Sequence, residues 1–397
     1  MNTHLAALQP YPFEKLSELK TGITPPAGVN HIALSIGEPK HESPQLVIDA
    51  LRNSLSLLET YPSTRGTAEL RETIASWLQR RFQLKQLDAE TQVLPVTGTR
   101  EALFSAVMAL FDSHRSDNQV AFPNPFYQIY EGATLLAGAK PLLIPCTQES
   151  SFKADISTIT PQQWDQTQIL FICTPGNPTG AVLSEAELIE IIRLADKHDF
   201  LIFSDECYSE IYFDESSPPP GLLQACAKMG RTGYERCLAF NSLSKRSNIP
   251  GMRSGLVAGD ASLIKQFLLY RTYHGCAMPP HHQYASIAAW NDEQHVLMNR
   301  NLYRDKFALA MNTLDSKLQI YQPDAAFYLW AKTPVADTEF ARNLFQHSHI
   351  TVLPGSFLSR KMGDTNPGSN YVRIALVASL EECRQAFDRI NAFLDTL

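Results

Sequence analysis

The chain has 397 residues, 44% of them hydrophobic, which is enough for a large core and predicts two or three domains. A formal net charge of −7 offers no basic surface for nucleic acid or an anionic membrane. The first residues lack the pattern of a signal peptide, and no stretch approaches the roughly 18 apolar residues that span a bilayer. The seven cysteines lack metal-ligand spacing, so no metal is predicted and free thiols in a reducing, cytoplasmic compartment are expected.

The first two thirds of the chain predict a parallel sheet. Residues 1–45 carry many prolines, and we expect them to lie against a folded body. Amphipathic helices are predicted at 44–58 and 67–83. From residue 92, short apolar strands alternate with helices, a pattern typical of a mostly parallel sheet with helices on both faces. The predicted strands are 93–96, 120–122, 142–144, 169–172, 200–203, a stretch that ends at Phe240, and 255–258; the predicted helices are 101–111, 129–137 and 185–197.

The pattern changes after residue 259. Helices at 261–270 and up to Trp290 lead into a long amphipathic helix at about 293–317. Strands 327–331 and 371–375 with helices 337–347 and 380–395 indicate a smaller α+β unit. The predicted fold class is α/β, with a large domain built on a mostly parallel sheet sandwiched by helices and a smaller α+β domain built from both termini. The predicted boundaries are 1–45 for an N-terminal segment that joins the small domain, 46–290 for the large domain and 291–397 for the small domain.

Lys245 lies in a polar loop between two predicted strands. Ser242, Ser244 and Arg253 surround it with hydroxyls and a fixed cation, which suit a phosphate group. In such a cationic site the pKa of a lysine can be lowered, and the lysine can then act as a nucleophilic amine. The alternative is a solvated loop lysine.

Other polar residues follow the carboxyl ends of predicted strands, where parallel sheets bind their ligands. Gly98, Thr99 and Arg100 begin a helix and suit an anion, or they serve as an ordinary helix cap. Asp205 follows four apolar residues, so it is expected to be buried and to need a cation or strong hydrogen bonds. A structural salt bridge is the alternative. Three residues further on, Tyr208 could place a hydroxyl in the same pocket.

Two more residues complete the set. Tyr127 follows a strand and could stack on a flat ring or be a core aromatic. Asn177, in the loop Thr174–Gly180, could donate to a phenolate oxygen or only shape the turn. Together these residues suit a single ligand. It is a flat cationic ring with a phenolate oxygen, an aldehyde and a phosphate, and it matches the lysine, the buried aspartate, the asparagine, the tyrosine, the stacking aromatic and the phosphate cup. Those are the features of pyridoxal phosphate.

These motifs, in this order, resemble the fold-type I, class I and II aminotransferases over nearly the whole chain. The matching runs are Thr97–Arg100, Asn177–Gly180, Asp205–Tyr208, Ser242–Arg253 and Asn370–Leu376. The resemblance implies pyridoxal phosphate as cofactor, an amino acid and a 2-oxo acid as substrates, and a homodimer with shared active sites. It also implies ping-pong transfer of an amino group.

The resemblance implies a role for each matching position. Lys245 would bind the cofactor aldehyde covalently and then move a proton between Cα and the cofactor. Asp205 would pair with the ring nitrogen, Asn177 and Tyr208 would bond the ring oxygen O3′, and Tyr127 would stack on the ring. The remaining implied cofactor contacts are Gly98, Thr99, Arg100, Ser242, Ser244 and Arg253. Tyr61 would reach across the dimer to the cofactor phosphate bound by the partner subunit.

The resemblance also implies a carboxylate site. Arg373 would bind the substrate α-carboxylate bidentately, with help from Asn177 and the backbone of Gly37. The Asn177–Pro178 peptide is a candidate for a cis bond, as the family commonly shows one there.

Several runs resemble a narrower group, the proteobacterial succinyldiaminopimelate aminotransferases of lysine and cell-wall biosynthesis. They include Phe240–Asn248 and Leu269–Cys276. This implies glutamate as donor and N-succinyl-2-amino-6-oxopimelate as acceptor. A long acceptor with several carboxylates requires a second cationic patch. The candidates, from their loop placement, are Arg271, Arg65, Lys20 and His274.

Other functions stay open on the same scaffold. One alternative is a class I aminotransferase that acts on acetylornithine, aspartate or alanine. Another is a C–S lyase or a decarboxylase, which would keep Lys245 and Asp205 but catalyse a different reaction of the bound substrate. A regulator would carry a basic DNA-binding domain before the fold, and residues 1–40 are too short and too neutral for one. A nicotinamide dehydrogenase would need Gly-x-Gly-x-x-Gly after an early strand, which the sequence lacks.

Overall fold

The computed structural model describes residues 2–314 and 317–397. The strands are β1 (Ile32–Ala33), β2 (Val93–Val96), β3 (Gln119–Asn124), β4 (Lys140–Pro145), β5 (Thr167–Cys173), β6 (Leu201–Asp205), β7 (Cys237–Ser242), β8 (Gly255–Gly259), β9 (Gln319–Tyr321), β10 (Tyr328–Lys332), β11 (Ile350–Thr351), β12 (Leu353–Pro354) and β13 (Tyr371–Ala375). The α-helices are α1 (Pro12–Leu19), α2 (Gln45–Asn53), α3 (Ala68–Phe82), α4 (Thr99–Leu110), α5 (Gln128–Leu136), α6 (Pro161–Trp164), α7 (Glu185–His198), α8 (Leu222–Lys228), α9 (Leu243–Arg246), α10 (Ala261–His274), α11 (Pro280–Asn291), α12 (Gln294–Thr313), α13 (Asp337–Ser348) and α14 (Leu380–Leu394). Short 3₁₀ turns lie at Thr3–Ala7, Leu55–Glu59, Ile156–Thr158, Pro250–Met252 and Gly355–Phe357.

The large domain is built on a sheet of seven described strands in the order β2–β8–β7–β6–β5–β3–β4. Strands β7, β6, β5, β3 and β4 run parallel, whereas β8 is antiparallel to both β2 and β7. A parallel crossover usually contains a helix that carries the chain back along the sheet, whereas residues 243–254 form only the four-residue α9 and the turn Pro250–Met252, so the chain reverses. The prediction of a mostly parallel sheet between helices is confirmed.

Both faces of this sheet are packed, as its unbroken apolar strands predict. In β5, Leu170 and Ile172 belong to one apolar core, and Ile169 and Phe171 belong to the core on the opposite face. This division follows from the two-residue period of a strand. Burial of each such side chain contributes about 1.5–3 kcal/mol, so the central strands are rigid supports for whatever lies at their ends.

The small domain combines the two ends of the chain. Its four-stranded antiparallel sheet has the order β12–β13–β10–β9, and α13 and α14 pack against it. Strand β1 pairs in parallel with β11, which places Ile32 and Leu34 in the same core as Ile350. The prediction of a smaller α+β domain built from both termini is therefore confirmed.

Some elements differ from the predictions. The helix predicted at 44–58 ends at Asn53, where the hydroxyl of Ser54 donates to the Ala50 carbonyl and competes with the helical pattern. The proline-rich segment contains a helix, α1, whose first residue is Pro12, the position at which proline suits a helix. The long helix α12 is observed at Gln294–Thr313, whereas the prediction continued to about residue 317; residues 315 and 316 of that predicted end lie outside the described residues.

Two further expectations concern the whole chain. The cysteines are free thiols, as predicted. Cys226 and Cys237 place their sulfurs 3.6 Å apart and do not form a disulfide. In the part of the chain that the structure describes, no helix combines the length and apolar character needed to cross a membrane.

Candidate active site

A cavity of about 490 Å³ lies where the large domain, the small domain and the N-terminal segment meet. It is at the carboxyl ends of β6 and β7, the edge where such sheets bind ligands. The predicted site residues that line it are Gly37, Thr99, Arg100, Tyr127, Asn177, Asp205, Tyr208, Ser242, Ser244, Lys245, Arg253 and Arg373. Gly98 lies directly behind Arg253, and Tyr61 lies outside the cavity of its own protomer.

Lys245 projects from α9, the four-residue helix that directly follows β7. Its Nζ donates a hydrogen bond to the carbonyl oxygen of Gly37 at 2.6 Å. Burial lowers the pKa of Lys245 to about 8, and the nearby guanidinium groups of Arg373 and Arg253 add to the effect. A lysine with this pKa is a free amine in an appreciable fraction of molecules near neutral pH, which suits a nucleophile and a base.

Asp205 ends β6 and is 4% exposed. Its carboxylate accepts hydrogen bonds from the Tyr130 hydroxyl at 2.7 Å and from the backbone N–H of Cys207 at 3.2 Å. Burial raises the pKa of Asp205, and these two hydrogen bonds oppose the rise. Both described donors are neutral, so the carboxylate can still accept a cationic partner inside the cavity.

Tyr208 supplies a phenol to the same cavity. Its hydroxyl lies 2.8 Å from the hydroxyl of Tyr328. Burial raises the pKa of Tyr208 well above its ordinary value, so the group stays protonated and can donate. A buried, protonated phenol therefore stands three residues after Asp205.

Arg373, on β13, is 4% exposed and held from two sides. Its Nη1 donates to Asn177 Oδ1 at 2.9 Å, and its Nη2 donates to the Ser35 carbonyl at 2.6 Å. The guanidinium lies 4.4 Å from the centre of the Tyr328 ring. Its Nε is buried without a hydrogen-bond partner among the described residues, which suits an anionic ligand.

The N-terminal segment approaches this region very closely at Gly37. A Cβ at that position would lie 1.9 Å from the Tyr328 hydroxyl, so only glycine lets the backbone reach Lys245. On the opposite wall, the Asn177–Pro178 peptide is cis, as predicted. The carboxylate site implied at Arg373 is thus bounded by both predicted neighbours, Asn177 and the Gly37 backbone.

The predicted phosphate cup forms where β2, β8 and β7 adjoin. Val96 and Ser242 both pair with Gly255, which brings the start of α4 beside α9. Gly98 precedes α4 with φ of 88°, and a Cβ there would lie 2.2 Å from Arg253 Nη2. The free N–H groups at the start of the twelve-residue helix α4 face an arginine and two serine hydroxyls. This arrangement suits a phosphate.

Arg100 and Tyr127 form the outer wall. The Nε of Arg100 donates to the Tyr127 hydroxyl at 2.7 Å, and its Nη2 lies 3.5 Å from the Tyr11 hydroxyl. Arg100 is exposed on the cavity side, so its positive charge is available to a bound anion.

Arg271 does not take part in this cavity, and its prediction as a substrate contact is wrong. The residue is fully buried on α10, and its Nη1 donates to the two carboxylate oxygens of Glu101 at 2.7 and 2.5 Å. Its Nη2 donates to the Cys276 carbonyl at 3.0 Å. The sequence predicted a loop at this position, whereas α10 continues to His274 and turns the side chain inward.

The other three candidates for the distal end of the substrate also lie outside the cavity of their own protomer. Arg65 pairs with Glu90 at 2.5 Å, and Lys20 lies over the Phe345 ring at 4.9 Å. His274 is exposed. The cation that the cavity offers instead is Arg100, which the sequence analysis grouped with the phosphate.

A family model described as aminotransferase class I and II matches residues 29–390. The chain belongs to the class I and II aminotransferases. A solved aminotransferase from Neisseria meningitidis Z2491 is 50% identical, with a TM-score of 0.95 over 99% of this chain and 100% of that one.

Two further relatives carry more specific names. An LL-diaminopimelate aminotransferase from Nitratidesulfovibrio vulgaris (strain DSM 19637 / Miyazaki F) is 30% identical over 97% of each chain. A structure described as a probable N-succinyldiaminopimelate aminotransferase from Thermus thermophilus is 26% identical, with a TM-score of 0.86 over 96% of this chain and 100% of that one. This chain is similar to both.

Class I and II aminotransferases use pyridoxal phosphate, and the cavity of this aminotransferase fits that cofactor. Asp205 is a buried carboxylate with only neutral described donors, and Lys245 is an amine with a lowered pKa. Gly98 leaves room for Arg253 that any Cβ would fill. A cationic ring, an aldehyde and a phosphate would each meet matching chemistry.

Four residues of the aminotransferase site escaped the sequence analysis: Tyr130, Tyr328, Tyr11 and Cys207. Tyr130 lies three residues after Tyr127, at a spacing that brings two residues of a helix start to one side, and this signal could have found it. Cys207 lies within a recognised motif. Tyr328 and Tyr11 come from distant parts of the chain, and only the tertiary fold brings them to the cavity.

Proposed function

We propose that this aminotransferase transfers the amino group of glutamate to N-succinyl-2-amino-6-oxopimelate, in the synthesis of diaminopimelate and lysine. The observation that carries the proposal is an arginine on the outer cavity wall, Arg100, in addition to Arg373 and to Arg253 of the phosphate cup. Arg373 suits an α-carboxylate because two of its donors are fixed and its Nε is unpaired among the described residues. Arg100, held by two tyrosine hydroxyls, then suits a carboxylate at the far end of a long substrate.

The chemistry follows from the residues around Lys245. When bound, pyridoxal phosphate supplies an electron-poor ring that makes the Cα proton of an attached amino acid acidic. Lys245, as a free amine, would take that proton from Cα and then deliver a proton to the cofactor. Asp205 would keep a proton on the ring nitrogen of the bound cofactor, since a buried carboxylate is stabilised by a cation.

The other residues orient the reactants. When the cofactor is bound, Tyr208 and Asn177 would bond its ring oxygen O3′, and Tyr127 would stack on the ring. The phosphate would be held by backbone N–H groups, hydroxyls and one guanidinium, which come from Gly98, Thr99, Ser242, Ser244 and Arg253. These roles are supported by the placement of the residues around one cavity.

A second candidate substrate is LL-diaminopimelate, without a succinyl group. It is favoured by the names of the curated relatives at 28–30% identity. The two substrates differ at the far end, where LL-diaminopimelate carries a free ammonium beside a carboxylate and the succinyl compound carries only anionic and amide groups. An arginine at that end favours the succinyl compound, because like charges repel.

The test measures amino transfer to 2-oxoglutarate from N-succinyl-LL-diaminopimelate, LL-diaminopimelate and acetylornithine. We expect the highest kcat/KM for the succinyl compound, and a selective loss of that preference in Arg100→Gln. The matched control is Arg384→Gln, which changes an exposed arginine on α14 that does not line the cavity. A higher kcat/KM for LL-diaminopimelate would establish the second candidate, and release of ammonia and pyruvate without amino transfer would establish a lyase.

We also propose a homodimer with shared active sites. Tyr61 is fully exposed in the single protomer, and Leu58, Leu269 and Tyr273 expose 64%, 61% and 88% of their surface. Such apolar exposure suits an interface. Mixed dimers of Lys245→Ala and Tyr61→Ala protomers should regain activity, because one of their two sites is then intact. Mixtures as inactive as the two parents would contradict shared sites.

The remaining predictions concern organisation. We propose that the N-terminal segment ends near residue 45 and the large domain near residue 290, and limited proteolysis of the purified protein tests these boundaries. A cytoplasmic location is consistent with the free thiols. Fractionation of cells that produce the protein tests that location.

A further inference from the structure

A buried chain of hydrogen bonds leads from helix α12 to the backbone of Lys245. The Nζ of Lys306 lies 2.6 Å from His41 Nε2, and His41 Nδ1 lies 2.8 Å from Asn299 Oδ1. The amide nitrogen of Asn299 then donates to the carbonyl oxygens of Lys245 at 3.2 Å and Arg246 at 3.4 Å. Lys306 and Asn299 are only 2% and 3% exposed.

The chemistry of the groups gives this chain one direction. A lysine ammonium only donates, so His41 Nε2 accepts from Lys306 and the ring hydrogen lies on Nδ1. His41 Nδ1 therefore donates to Asn299 Oδ1, which also accepts from Asn248 Nδ2 at 2.9 Å. These two donors fix the amide of Asn299 with its nitrogen toward the carbonyl of Lys245.

The charges around the chain are consistent with a neutral imidazole. Burial lowers the pKa of His41, the hydrogen bond to Asn299 opposes the shift, and Lys306 adds to it. Burial also lowers the pKa of Lys306 to about 8. Lys306 contacts His41 and lies 5.2 Å from the centre of the Tyr303 ring. Among the other groups that face it, Cys383 and Glu382 raise the pKa of Lys306, and Lys40 lowers it.

The chain of hydrogen bonds is connected both to the backbone of Lys245 and, through the N-terminal segment, to its Nζ. Helix α9 has only four residues, so its last carbonyls lack helical partners, and Asn299 supplies donors to them. His41 lies four residues after Gly37, whose carbonyl accepts the hydrogen bond from Lys245 Nζ. Asn299 thus holds the base of the lysine directly, and through His41 it holds the segment that meets the tip.

We propose that His41 and Asn299 are positioning residues for Lys245, and that with Lys306 they fix the amine relative to the N-terminal segment. The inference rests on the proposed role of Lys245 and extends it to side chains that do not line the cavity. Misplacement of a reacting group by about 1 Å can lower a rate by about 100-fold, so a loosened lysine should reduce kcat more than substrate binding.

The test compares His41→Ala, Asn299→Ala and the double variant as holoenzymes. The readouts are the pH midpoint of the visible absorbance of the bound cofactor, and kcat and KM for glutamate. We expect each single variant to shift the midpoint by about 0.5 unit or more and to lower kcat by about 10-fold, with KM changed by less than about 3-fold. The double variant should be no worse than the more impaired single variant, since one chain is broken in each.

The matched control is His31→Ala. It removes the same residue type from the same N-terminal segment, where His31 Nε2 lies 2.8 Å from Thr351 Oγ1 and outside the chain of contacts that leads to α9. It should leave midpoint and kcat unchanged. Equal shifts in His31→Ala, or midpoints in the two test variants that match the parent, would overturn the inference.

Conservative changes keep the test decisive if an alanine variant does not fold. His41→Asn offers an N–H near the position of Nδ1 and should stay close to the parent, whereas Asn299→Asp keeps the acceptor for His41, loses the donor to Lys245 and should be impaired. The reverse pattern would refute the inference. A parent enzyme without any visible absorbance from a lysine-bound cofactor would instead refute the proposed role of Lys245.

Discussion

Replacement of Arg373 tests the carboxylate site most strongly. The variant Arg373→Ala removes a guanidinium that is 4% exposed and fixed by Asn177 and Ser35. A bidentate pair with a carboxylate makes two charge-assisted hydrogen bonds of about 1.5–3 kcal/mol each, which predicts a loss in kcat/KM of about 100-fold to 10,000-fold. Arg373→Lys keeps the charge without the fork and should lose less.

Stability and substrate comparisons separate this loss from misfolding. Asn177 Oδ1 and the Ser35 carbonyl lose a donor in Arg373→Ala, which costs about 1–3 kcal/mol of unfolding free energy, because both acceptors are at least partly shielded from water. The assay measures kcat/KM for glutamate, for the long acceptor and for a primary amine without an α-carboxylate. A similar loss with the amine would refute the reasoning, since that substrate has no group for Arg373 to bind.

Three further predictions follow from buried groups. In cofactor-free protein, an amine-reactive reagent should modify Lys245 with a midpoint near pH 8, since burial lowers its pKa to about 8, and a midpoint above 10 would contradict this. Burial raises the pKa of Glu206 from 4.5 to about 7, so between those values the folded state keeps a proton that the unfolded state releases, and stability falls as pH rises. Glu206→Gln should therefore gain up to about 3 kcal/mol at pH 8 relative to pH 5 in denaturant unfolding, and equal effects at both pH values would contradict the assignment. Arg271→Met should lose about 3 kcal/mol or more because the partly buried carboxylate of Glu101 is left without its partner, and it should affect glutamate and the long acceptor equally in steady-state assays.

The sequence predicted much of the sheet because apolar runs and loop residues are local signals. Leu170 and Ile172 alternate with Ile169 and Phe171 in a strand that is apolar on both faces, and this pattern is visible without a structure. The antiparallel direction of β8 could not be predicted from the sequence, because it depends on the conformation of residues 243–254, which form α9 and a turn.

The site shows the same division. Lys245, Asp205 and Asn177 lie in motifs at strand ends, so their order along the chain predicted one cavity. The prediction that Arg271 contacts the substrate was wrong because the sequence around a charged residue does not show its partner. Its ion pair with Glu101 is a tertiary contact. Tyr328 was missed for the converse reason: it reads as an ordinary strand residue until the sheet brings its hydroxyl to Tyr208.

The same limit applies to the chain of hydrogen bonds that ends at the backbone of Lys245. His41, Asn299 and Lys306 are far apart from Lys245 in sequence, and none of them lies in a recognised motif. Their meeting depends on the tertiary fold, which brings Asn299 and Lys306 of α12 to His41 of the N-terminal segment. Such contacts are where the structure adds most to the sequence.

The most direct test of the role of Lys245 is to reduce the holoenzyme with borohydride and map its peptides by mass spectrometry. We expect the mass of the cofactor to be fixed on Lys245, whose amine lies in the cavity with Asp205. Cofactor fixed on another lysine, such as Lys306, or on none, would contradict that role.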